Sequence, residues 1–149
     1  MKRINVYSVQ LVREKSKMIE SDNKRIKSPE DAYLLLDAIF DLSNKTKEHF
    51  VMLALSTKND IVGAHTIHIG SLNSSIVHPR EVFQLAILNN AAAIIVCHNH
   101  PSGEVTPSSE DIIVTERLQE AGKIIGIDVL DHVIIGHHNF ISLKERGYL

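Results

Sequence analysis

The sequence predicts an α/β sandwich on a mixed sheet, and three observations carry that prediction. Apolar strand-like runs alternate with amphipathic helix-like segments along the chain. Two of those runs, His49–Ser56 and Ile61–Ile69, are joined by the four residues Thr57–Asp60, which reads as a hairpin and makes the sheet mixed. A third run, Ala91–Cys97 (AAAIIVC), is continuously apolar, as suits a strand buried on both faces.

Taken in order, Ile4–Val12 (INVYSVQLV) alternates loosely and reads as a first strand, with an edge that could pair two copies of the chain as a homodimer. Arg13–Lys27 is charged and polar and is expected to be a solvated extension, so residues 1–27 are set apart from a single globular domain at 28–149. Ser28-Pro29-Glu30-Asp31 is a helix start, with a capping Ser, Pro at the first helical position and acids at the positive end. That helix should run to Leu42 and bury Tyr33, Leu34, Leu36, Ile39 and Phe40. After the hairpin, Gly70–Ser75 is small and polar and reads as a loop. His78-Pro79-Arg80-Glu81 opens a second helix reaching Asn90. The apolar strand then ends in His98-Asn99-His100-Pro101-Ser102-Gly103, where Pro and Gly force a loop. A third helix is expected from Ser108 or Ser109 to Ala121, a strand over Ile125–Ile135 and a short one over Phe140–Leu143.

Composition narrows the function. At 149 residues, 44% hydrophobic and with 11 Gly plus Pro, the chain can bury a real core. Its net charge of −2 does not advertise nucleic acid. One cysteine excludes a disulfide scaffold and a Cys-rich zinc site. No apolar run approaches the roughly 20 residues of a membrane span, and the first residues lack a signal-peptide core, so a cytoplasmic protein is expected.

Nine histidines are unusual, and two carry a pattern. His98 and His100 lie two apart on an extended segment and so face one side. Pro101, Gly103 and Pro107 let the following loop fold back and bring Asp111 to them. Two His and a carboxylate suit Zn²⁺ with a fourth position left for water, and they suit non-haem Fe(II) as well. Asp111 is also explained by helix capping, since Ser108-x-x-Asp111 has a capping-box form. Asn99 and Cys97 alternate away from His98; Asn99 is a supporting or loop-stabilising residue and Cys97 a buried small hydrophobe. Asp131-His132 on the late strand could orient a ligand histidine or be a structural polar pair. His65, His68, His78, His137 and His138 are assigned no site role.

These residues resemble the JAMM (MPN⁺, JAB) metalloprotease motif: an upstream Glu, then His-x-His-Pro, then Ser-x-x-Asp. More closely, HPREVF (His78–Phe83), NAAAIIVCHNHPSG (Asn90–Gly103), TPSSED (Thr106–Asp111) and LDHVIIG (Leu130–Gly136) resemble the RadC family in order and spacing, over about 28–147. The resemblance implies a three-layer α/β/α, cytidine-deaminase-like (JAB/MPN) fold and one Zn²⁺ held by His98, His100 and Asp111. It implies a general base at Glu48, with Glu81 the competitor, and an oxyanion donor at Ser108. The implied reaction is hydrolysis of a peptide or isopeptide bond in a protein or peptide substrate. RadC proteins usually carry an N-terminal helix-hairpin-helix region, for which 149 residues leave no room, so its DNA role is not expected to transfer. Two other readings remain: a DNA-repair-associated protein that binds or processes nucleic acid, which the charge does not support, and a metal-binding interaction module without turnover. A zinc nucleobase deaminase needs Pro-Cys-x-x-Cys, which one cysteine cannot supply.

Overall fold

A computed structural model of the chain describes residues 1–18, 25–73 and 76–149. The middle of the polar stretch expected at Arg13–Lys27, and the end of the loop expected at Gly70–Ser75, lie outside the described residues.

The expected strand at Ile4–Val12 does not form. Residues 1–18 belong to no helix or strand, and their apolar side chains are exposed, Ile4 at 84% and Val6 at 94%. Alternation creates a strand only where a neighbouring edge supplies backbone partners. The pairing found just beyond this segment is a single bridge between Arg25 and Asp60.

The elements are α1 (Pro29–Phe40), a 3₁₀ turn (Leu42–Asn44), β1 (His49–Leu55), β2 (Ile61–Ile69), α2 (Pro79–Leu88), β3 (Ala93–Asn99), α3 (Ser109–Ile125), β4 (Asp128–Ile135) and β5 (Phe140–Ser142). The strands form one mixed sheet in the order β2-β1-β3-β4-β5. β1 pairs antiparallel with β2 and β3, β3 parallel with β4, and β4 antiparallel with β5.

The starts of α1 and α3 are set by side-chain caps. Ser28 and Ser108 each accept from the backbone N–H three residues on, and the Asp at that position returns a bond to the cap's own N–H. Helix ends differ from expectation where local chemistry decides. α1 stops at Phe40, because Asp41 adopts a left-handed conformation and Leu42 turns inward as a buried residue. Leu34 is 56% exposed, since α1 buries the Ala32/Leu36 stripe and not Leu34. α3 runs one turn past Ala121 to Ile125, where Gly126 caps it at φ 84°. β4 accordingly starts at Asp128 and not at Ile125.

The core has two sides. Phe50, Met52, Ile94 and Val96 pack against Val82 and Phe83 of α2 and Val114 and Leu118 of α3. Val51, Leu53, Ile95 and Cys97 pack against Ala32 and Leu36 of α1. This is the three-layer sandwich, with every residue of β3 buried at its centre. The period-2 alternation of β3 therefore sends Ile94, Val96 and His98 toward α3, and Ile95, Cys97 and Asn99 toward α1. Among the described residues no helix is long and apolar enough to cross a membrane.

Candidate metal centre

β3 continues two residues past Cys97 and carries His98 into the core, fully buried. His100 follows just beyond the strand, tied to β4 by its N–H on the Ile135 carbonyl at 2.8 Å. The chain then turns through Gly103, whose N–H donates to the His100 carbonyl at 2.9 Å. Gly103 sits at φ 87°, and a Cβ there would meet His137 Nδ1 at 2.6 Å, so no other residue fits without displacing that ring. The loop delivers Ser108 and then Asp111, the first buried residue of the α3 stripe Asp111–Thr115–Leu118–Gly122.

The three side chains converge as the spacing predicted. His98 Nε2 and His100 Nε2 lie 2.9 Å apart. Asp111 Oδ1 lies 3.2 Å from His98 Nε2, and Oδ2 3.2 Å from His100 Nε2. Among the described residues, these form the group of His, Cys, Asp or Glu whose ligand atoms all fall within 4.8 Å of one another.

The hydrogen-bond partners assign the ring protons. His100 Nδ1 lies 2.6 Å from the Glu104 carbonyl, which can only accept, so Nδ1 carries a proton and Nε2 faces the cluster. On the other side, Thr115 Oγ1 is 2.6 Å from the Asp111 carbonyl, a spacing that takes the one hydroxyl proton. Thr115 must then accept from His132 Nδ1 at 2.6 Å. The neutral His132 ring offers its Nε2 lone pair to His98 Nδ1–H at 2.7 Å. His98 Nδ1 is then the donor to His132, and its Nε2 faces the cluster. Two imidazole nitrogens and a carboxylate 2.9–3.2 Å apart need a proton or a cation between them, and they are a donor set that can hold a divalent cation such as Zn²⁺.

A proton shared between His100 and Asp111 competes with a cation for this point. Burial pushes the Asp111 carboxyl up, but the His100 and His98 contacts outweigh it and hold the group well below the usual carboxylate range. The hydrogen bond to Asp111 raises His100 above an ordinary imidazole against the opposing effect of burial, and Glu48 adds to the rise. His132 is pushed well down by burial, reinforced by repulsion from His98. Phe50 seals the layer, its ring 6.3 Å from His98 and edge-on to His132 at 5.6 Å.

Glu48 is half-buried immediately before β1, and its field reaches His100. Its Oε2 accepts from the Leu72 N–H at 2.8 Å. Glu81 is exposed in the first turn of α2, as the helix-acid reading expects. Ser108 Oγ accepts from the Asp111 N–H at 3.1 Å; acceptance uses a lone pair and leaves its O–H proton for another acceptor. Asn99 is a loop clamp: Oδ1 accepts from the His49 N–H at 2.7 Å, and Nδ2 donates to the Lys47 carbonyl at 3.0 Å. It thereby grips the backbone on both sides of Glu48. Sequence reasoning missed Thr115, whose only signal was its place one helical turn after Asp111. Cys97 is a free, buried thiol raised first by desolvation and then by Asp37 and Asp131, as the small-hydrophobe reading expects.

A mixed five-stranded sheet between helical layers, with a His–His–Asp set at the end of its central strand, defines an α/β domain of the JAB type with a candidate metal site. A RadC-like JAB domain family model matches residues 26–148, and the chain belongs to that family. It is 53% identical over 144 residues to a UPF0758 protein of Geobacillus sp. (strain WCH70), covering 95% of this chain and 62% of that protein. It is 54% identical over 134 residues to the UPF0758 protein YsxA of Bacillus subtilis (89% and 57%), and 47% identical over 140 residues to a UPF0758 protein of Methanosarcina mazei (94% and 60%). The chain thus spans about three-fifths of the length of these relatives.

Proposed function

We propose that the chain is a zinc-dependent hydrolase of JAMM type, which cleaves a peptide or isopeptide bond in a cytoplasmic protein or peptide substrate. The observation that carries this reading is the convergence of His98 Nε2, His100 Nε2 and the Asp111 carboxylate, three groups that can each give a lone pair to a cation, at the end of β3. Zinc, when bound there, would lower the pKa of a bound water from 15.7 toward about 7 and polarise the scissile carbonyl. His98, His100 and Asp111 would hold the ion and leave one position for reactants. Glu48, with Oε2 fixed on the Leu72 N–H, would use Oε1 to take the attacking water's proton and pass it to the leaving amine. Ser108 would turn its unspent O–H toward the developing oxyanion, a donor typically worth about 10²–10³ in rate.

Metal analysis and mutation test this together. The wild-type protein should retain about one zinc per chain, and His98→Ala and Asp111→Ala should lose it. Glu48→Gln should keep zinc and lose cleavage of a peptide and isopeptide substrate panel, while Glu81→Gln should keep both. Stoichiometric zinc in the His98 and Asp111 variants refutes the ligand set. Zinc without turnover in the wild type leaves the interaction-module reading in its place.

A further inference from the structure

The hydrogen-bond path that leaves His98 away from the cluster plays no part in the hydrolase reading. It crosses three elements and returns to a ligand. His98 on β3 donates from Nδ1 to His132 Nε2 on β4 at 2.7 Å. His132 donates from Nδ1 to Thr115 Oγ1 on α3 at 2.6 Å. Thr115 donates to the backbone carbonyl of Asp111, one turn earlier on the same helix, at 2.6 Å. His98, His132 and Thr115 are each 0% exposed, and no buried side-chain polar atom among the described residues lacks a partner.

Such a chain of donors can run in two directions, and the two differ where it matters. In the direction described, His98 Nε2 is bare and faces His100 and Asp111. In the reverse direction Thr115 donates to His132, His132 donates from Nε2 to His98 Nδ1, and His98 carries its proton on Nε2. That proton would occupy the point where a cation must bind. The hydroxyl of Thr115 decides between them, because it has one proton and two acceptors in reach. Reversal would leave its oxygen 2.6 Å from the Asp111 carbonyl with no proton between, two acceptors in close repulsion.

We propose that Thr115 and His132 are positioning residues that hold His98 in the Nδ1–H tautomer and so keep its Nε2 open for the metal, an inference that rests on the metal reading above. Neither residue touches the ion. The ring also links two ligands from different elements, so the rotamer of His98 and the start of α3 are set together. Partners of this kind typically change metal affinity about 10–100-fold when removed.

The test is substitution at Thr115 with two readouts, zinc affinity by chelator competition and ring-nitrogen protonation by long-range ¹H–¹⁵N NMR. In the wild type, both His98 and His132 should show protonated Nδ1 and bare Nε2. Thr115→Val keeps the shape but removes the hydroxyl; it frees the chain to reverse and should shift both rings toward protonated Nε2, with zinc affinity down about 10–100-fold. Thr115→Ser restores the hydroxyl and should restore both tautomers and affinity to within a few-fold. Protonated Nε2 on His98 in the wild type overturns the proposal, and this needs no variant to fold. Unchanged tautomers and affinity in a folded Thr115→Val protein overturn it too. If the wild type shows the expected tautomers yet binds no zinc, the ring stands and the metal reading falls.

Discussion

Replacing Asn99 with aspartate tests how the protein holds its candidate base in place. The two side chains have nearly the same shape, so packing is preserved and only the hydrogen-bond polarity changes. Asn99 Oδ1 accepts from the His49 N–H at 2.7 Å, and a carboxylate keeps that bond. Nδ2, however, donates to the Lys47 carbonyl at 3.0 Å and more weakly to the Lys45 carbonyl at 3.5 Å. The ionised carboxylate of Asn99→Asp would aim an oxygen at both carbonyls, in a site only 1% exposed. Roughly 1 kcal/mol for the donor lost at Lys47, plus about 1–3 kcal/mol for a poorly compensated buried acceptor, gives about 2–4 kcal/mol of destabilisation near neutral pH. For a chain of this length that lowers Tm by roughly 5–15 °C. The sign with pH is diagnostic. Burial raises the new carboxyl's pKa in the folded state, so the folded protein binds that proton more tightly than the unfolded one, and the deficit shrinks as pH falls. Once protonated, the introduced carboxyl can again donate to the Lys47 carbonyl. Urea unfolding followed by circular dichroism, variant against wild type across the acid-to-neutral range, measures both effects. A deficit under about 0.5 kcal/mol near neutral pH, or one that does not shrink toward acid, would refute the clamp.

Two further outcomes follow from the bonds of Asp131 and Ser108. Asp131 accepts from the His132 N–H, the Lys144 N–H and the Ser142 hydroxyl, yet burial outweighs them and raises its pKa above the ordinary 3.8. The folded state therefore binds this proton more tightly, and Asp131 withdraws stability as pH rises from about 4. Asp131→Asn can keep the two backbone acceptances and donate to Ser142, so its stability relative to wild type should grow with pH over that window; a flat difference in denaturation midpoint rejects the assignment. Ser108→Ala should cost about 1 kcal/mol of stability through the lost cap. It should leave zinc bound, because the Ser108 backbone N–H still holds Asp111 Oδ2 at 2.8 Å. On the hydrolase reading it should lower turnover about 10²–10³-fold, and a loss below tenfold rules out the oxyanion role.

Most of the fold could be read from the chain because its signals are local. The continuous apolar run that became β3, the four-residue hairpin connection and the two Ser-x-x-Asp caps each act within a few residues. The segment Ile4–Val12 forms no strand for the complementary reason: alternation reports an aptitude for pairing, and only another strand can supply the partner. The ends of α1 and α3 moved because a left-handed Asp41 and the glycine at 126 decide where each helix stops. Within the site, His98, His100 and Asp111 were legible through spacing. Thr115 and His132 were not joined, because their contact runs from α3 to β4, 17 residues apart in the chain, and is created by the packing of helix on sheet.

The two readings of Asp111, helix cap and metal ligand, turn out to be one arrangement. Its Oδ2 accepts from the Ser108 N–H at 2.8 Å and also lies 3.2 Å from His100 Nε2, while Oδ1 faces His98. The Ser108 hydroxyl in return accepts from the Asp111 N–H. A free carboxylate would surrender rotamer freedom on binding a cation; here the cap has already fixed the side chain before any ion arrives. The helix N-terminus also supplies positive potential that keeps the group ionised as it enters the core. Thr115 then binds the carbonyl of the same residue from the turn above. Asp111 is thus held at its side chain, its N–H and its carbonyl, which is why a helix start that looks ordinary in sequence can present a rigid acceptor to two histidines.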